Sequence, residues 1–100
     1  MKDFKLDTDD LNDLIVCAFR YALGRRTYIV HTITEIIKSN LSALDSRTIE
    51  VILQDIERQH EYEKVGIEKA FGDDCDRERW MEVEVLLNAE KLDRLGREVW

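Results

Sequence analysis

Residues 27–41 read TYIVHTITEIIKSNL, from Thr27 to Leu41, and whether they form a strand or a helix decides the class of the fold. The apolar positions are Ile29, Val30, Ile33, Ile36, Ile37 and Leu41. Their β-branched content favours a strand. A half-buried strand, however, needs strict alternation of apolar and polar residues, and the stretch does not alternate. Its steps of three and four residues gather the apolar set on one helical face instead. The spacing predicts a helix opening at Thr27 or Tyr28 and reaching about Asn40.

The flanking stretches follow the same period. Upstream, Leu11, Leu14, Ile15, Ala18, Phe19, Ala22 and Leu23 mark a helix from about Asp9 to Leu23. Thr8 or Asp9 is its cap, Asp9, Asp10 and Asp13 suit its positive end, and Gly24 is its stop. Downstream, residues 42–46 read as a connection, and Asp45 or Ser46 caps a third helix. Its stripe is Ile49, Ile52, Leu53 and Ile56, and it runs to His60 or beyond. Gly66 and Gly72 leave residues 61–75 without a clear element.

A fourth helix begins near residues 74–76 and continues towards 95. Its apolar residues fall into two sets. Trp80, Val83 and Leu87 form one stripe. Met81, Val85, Leu92, Leu95 and Val99 form another, and Asn88 completes a heptad-like series. Two seams on one helix call for two partners. The first closes the core, and the second is either a self-association seam, making the protein a homodimer, or a second contact within the same chain. In the dimer Asn88 would fix the register. The expected fold is all-α, a small bundle of about four helices with a long C-terminal helix, in a single domain over residues 1–100.

The composition agrees with this. The 100 residues contain no proline and four glycines, and are 44% hydrophobic and 37% charged. A chain of this size and make-up builds a real core and favours long helices over turn-rich β structure. No stretch approaches the roughly 18 apolar residues of a membrane span, and the first residues lack the apolar segment of an export signal. A cytoplasmic location is the default expectation. Cys17 and Cys75 form no CxxC pair and read as free thiols, Cys17 as a small apolar residue within its helix. The net charge of −7 arises after residue 40, where sixteen acidic face nine basic residues. Such a surface repels nucleic acid and anionic membrane, so neither is an expected partner, and it suits a basic protein.

The most localised polar feature is the corner Arg20, Arg25, Arg26, Thr27 and Tyr28. Gly24 ends one helix and Thr27 starts the next, so Arg25 and Arg26 sit in a turn at a helix N-terminus. Free N–H groups and guanidinium forks there form a reasonable anion site for phosphate, a nucleotide or an acidic side chain. The plainer alternative is an ordinary turn whose arginines pair with the chain's own carboxylates. His31 and Glu35 supply at most two ligands of a metal site that needs three or four. His60, on the extension of the third stripe, is expected at the edge of the core. The sequence contains no Ser-His-Asp or Cys-His constellation, glycine-rich phosphate loop or calcium loop, so neither an enzyme nor a cofactor or metal is expected.

FRYALGRRTY at 19–28, followed by a short apolar helix and by the GxxCDxxxxW pattern from Gly72 to Trp80, resembles small uncharacterised helical proteins of phages and prophages. The likeness spans roughly residues 10–82 and carries no active-site residues. It implies a phage or prophage accessory protein in the bacterial host cytoplasm. Such a protein would bind and modulate a host or phage protein, for instance as an inhibitor of a defence system such as a CRISPR nuclease. The alternative expectation is a nucleotide- or phosphate-binding protein using the Arg25-Arg26-Thr27 turn.

Overall fold

A computed structural model describes residues 8–23, 27–67, 70–71 and 74–99, the side chains of 8, 27, 28, 98 and 99 excepted. Among the described residues the regular structure is entirely helical. Helix α1 runs Thr8–Ala22, α2 Thr27–Ser39, α3 Ser46–Lys64 and α4 Asp74–Val99, with a single 3-10 turn at Leu41–Ala43. The strand alternative for 27–41 is thereby excluded, and the long last helix is present.

Helix α3 begins and ends for local reasons. Asp45 sits in extended backbone before α3, and its carboxylate accepts the Thr48 N–H at 2.7 Å, satisfying one free donor of the first turn. At the other end Gly66 takes φ +88°, a conformation that costs other residues but not glycine. The Ile67 N–H then donates to the Tyr62 carbonyl and the Gly66 N–H to that of Glu63, which closes α3 with a Schellman motif.

α1 and α4 each pack on both α2 and α3. The Cα trace spans 45 × 43 × 16 Å, so the molecule is two helix layers thick. Phe19 of α1 and Trp80 of α4, both wholly buried, meet edge to face at 5.2 Å and 87° in the centre. Ile15, Val30, Ile37, Ile49, Ile52, Ile56, Val83 and Leu87 surround them.

Two stripe assignments and the reading of Cys17 need correction. Leu14 lies outside the buried face of α1 and is 56% exposed. On the other side of the stripe Asn12 is buried, at i−3 from Ile15 and i−7 from Phe19. Asn12 donates from Nδ2 to the Ala43 carbonyl at 3.1 Å and accepts the Asp45 N–H at Oδ1, 2.8 Å. A buried carboxamide with both ends bonded fastens α1 to the turn before α3. Ile36 is likewise partly exposed at one edge of the α2 stripe, and Thr34 is buried at the other. Cys17, expected as a small apolar residue, is exposed.

Candidate functional site: the outer face of the last helix

α4 carries two apolar faces, and only one is covered. Trp80, Val83 and Leu87 are wholly buried. About a third of a turn round the helix, Val85, Leu92 and Leu95 are 67%, 68% and 48% exposed, and Asn88 between them is exposed too. Among the seam residues, Met81 corrects the expected set, because it is half-buried and packs against the core. Val99 ends α4, and its side chain lies outside the described atoms.

The rotation of α4 is fixed by polar contacts along its flanks. Towards α2, Lys38 Nζ donates to Glu82 at 2.8 Å, and Arg79 Nη1 contacts His31 Nδ1. The Lys38 pair raises the ammonium's pKa and lowers that of the Glu82 carboxyl. Towards α3, Lys91 reaches Glu50 at 2.8 Å, and Arg94 Nη2 donates to the Leu41 carbonyl at 3.2 Å. Further up, His60 Nε2 lies 3.2 Å from both oxygens of Glu84, and its ring meets Phe71 edge on. These contacts grip both sides of the helix and direct Val85, Leu92 and Leu95 away from the core. Exposed singly such residues are ordinary, but aligned on one helix they form a continuous strip. Covering each side chain fully is worth up to about 1.5–3 kcal/mol. A shallow pocket of about 190 Å³, lined by Ile49, Glu50, Lys91, Arg94 and Leu95 among others, adjoins the strip.

Of the arginine corner, only the Arg20 side chain lies among the described atoms. Arg20 is exposed over 58% of its side chain, yet its Nε donates at 2.8 Å to Asp55, of whose side chain 7% is accessible. That bond and the carboxylate's charge raise the Arg20 pKa further. Arg58 adds a longer contact to the same carboxylate at 3.6 Å. Arg20 therefore pairs with a buried acid of its own chain. Arg25, Arg26 and the side chains of Thr27 and Tyr28 lie outside the described residues.

His31 and Glu35 take different partners, Arg79 and Lys38 respectively. His60 lies between Glu84 of α4 and Glu63 of α3, the latter held below the usual carboxylate range by Arg77 at 2.9 Å. Among the described residues no group of three or more His, Cys, Asp or Glu is placed to hold a metal ion. Nor is any described helix long and apolar enough to cross a membrane.

Sequence reading gave neither Asp55 nor Asn12 a structural role. Both were detectable as polar residues on the buried face of an amphipathic helix, Asp55 beside Ile52 and Ile56 and Asn12 one turn from Ile15. No described protein family, curated protein or solved structure matches the chain.

Proposed function

We propose that this chain is a non-enzymatic interaction protein and that the outer face of α4 is its protein-docking surface. One observation carries the reading: Val85, Leu92 and Leu95 are about half to two-thirds exposed on a helix whose other apolar face is wholly buried. A helix with one apolar face in the core and another in water matches the helix-packing mode of recognition, read as anchors one and two turns apart.

The resemblance to phage and prophage proteins supplies the setting. In that setting the protein acts in the bacterial cytoplasm on a host or phage protein, and inhibition of a defence system such as a CRISPR nuclease is its sharpest form. The acidic excess after residue 40 favours a basic partner, approached electrostatically and released by salt.

The test compares the wild type with V85E/L92E as baits in a lysate of a bacterial host, at low and high salt. Both substitutions fall on exposed positions, so the variant keeps its helical circular dichroism. A partner held by the wild type and lost by the variant supports the proposal. Identical captures by the two baits overturn it.

A further inference from the structure

Resting on the reading of α4's outer face as a docking surface, we infer that its occupant is a second copy of this chain, packed antiparallel about a two-fold axis level with residue 90. Three observations point to that occupant.

The first is the spacing. Val85 and Leu95 stand equally far from residue 90, as do Asn88 and Leu92. Two copies running in opposite directions therefore place Val85 against Leu95 of the second copy and Asn88 against its Leu92, twice over. Every exposed apolar anchor of the strip finds an apolar or carboxamide counterpart in one register. The two Asn88 carboxamides lie about 6 Å apart along the axis, close enough to meet and to penalise a shifted register.

The second is charge. Residues 74–84 of α4 contain five acidic and two basic residues, whereas 85–99 contain three of each. A parallel pair would stack the two acidic halves against each other. An antiparallel pair about residue 90 puts residues 80–84 level with 96–100 of the second copy, so the two acidic stretches are kept apart, and it also opposes the helix dipoles.

The third is the small-residue edge of the strip. Ala89 faces its own counterpart across the axis. Gly96 lies on the same edge seven residues later, and a Cβ added there would meet nothing within 4 Å. Glycine inside a helix is unfavourable, and no neighbour within the described chain requires this one. Close approach of a second helix backbone does.

The exposed strip from Val85 to Leu95 is about 15 Å long, which puts a single helix pair at or below the small end of specific interfaces. The dimer therefore assembles in the micromolar range, and concentration controls it.

Light scattering across micromolar to millimolar concentrations reads the mass, and single-cysteine variants in a C17S/C75S background read the orientation. The wild type rises from monomer to dimer mass with concentration, and V85E/L92E stays monomeric with unchanged circular dichroism. Mixing V85C protein with L95C protein gives a disulfide-linked dimer under mild oxidation. V85C alone does not, because the two positions 85 lie about 15 Å apart along the axis. A wild type that is monomeric throughout, a dimer that survives V85E/L92E, or cross-linking of V85C with itself in place of the mixed pair would each overturn the inference. The lysate comparison keeps the two proposals separable. A monomer whose lysate partner is still lost in V85E/L92E sinks the self-pairing and leaves the docking surface standing; a monomer with unchanged captures sinks both.

Discussion

Asp55 is a carboxylate almost wholly removed from water, and Arg20 is what makes that position tolerable. Removing one member of such a pair strands the other, whereas replacing both with apolar groups of similar size relieves the burial. Arg20→Met should lower the melting temperature by several degrees, and Arg20→Met/Asp55→Leu should recover most of the loss. Thermal melts of the three proteins check this; equal melting of the single and double variants would refute the role of the pair. Asp45 acts by a different route. Its carboxylate caps α3 through the Thr48 N–H, and the same bond holds its pKa below the ordinary range. Asp45→Ala should cost about 1 kcal/mol in urea unfolding at neutral pH, with Asp45→Ser retaining most of it.

At the scale of whole helices, the two glycines with described surroundings predict opposite results. Gly66 has φ +88° at the end of α3, so Gly66→Ala forces a side chain into left-handed backbone and should destabilise by about 1 kcal/mol. Gly96 lies in open helix, so Gly96→Ala should stabilise dilute, monomeric protein by roughly 0.5–1 kcal/mol. Urea titrations of both variants test the contrast. The four helices and the cap at Asp45 were legible in the sequence because period and capping chemistry are local. The stripes were legible only to within one residue, since periodicity gives an arc and tertiary packing chooses its centre. Leu14, Ile36 and Met81 all lie at arc edges that packing shifted. The Arg20–Asp55 pair was not legible, because it joins residues 35 apart whose meeting depends on how α1 lies against α3. The second seam of α4 was visible as a heptad series, but only the structure separates its exposed members from Met81, which packs against the core.

For the molecule as a whole, each copy carries a net charge of −7, and two copies must be brought together against their mutual repulsion. The apolar strip supplies the attraction, so added salt screens the repulsion and should leave the self-association unchanged or tighter. A complex with a basic partner responds with the opposite sign, so the direction of the salt effect separates the two. Acid acts on both association and folding. As pH falls towards the isoelectric point of about 4.8, the net negative charge shrinks and the repulsion with it, so the dimer should tighten. Further acidification reverses the benefit through the fold itself. Asp45, Glu63 and Glu82 have folded pKa values lowered by the Thr48 N–H, by Arg77 and by Lys38. A lowered folded pKa adds stability that is present above the unfolded carboxylate range of about 4 and is lost as pH falls through the folded value. Asp45 and Glu82 are exposed and Glu63 half-buried at the surface, so each contributes little, but all three push the same way. Sedimentation and thermal melts from pH 7.5 down to about pH 3 should therefore show the association constant rising while the melting temperature holds, followed by a fall in both below about pH 4. An association constant that weakens steadily from pH 7.5 would mean that charge attraction, and not the apolar face of α4, holds the copies together.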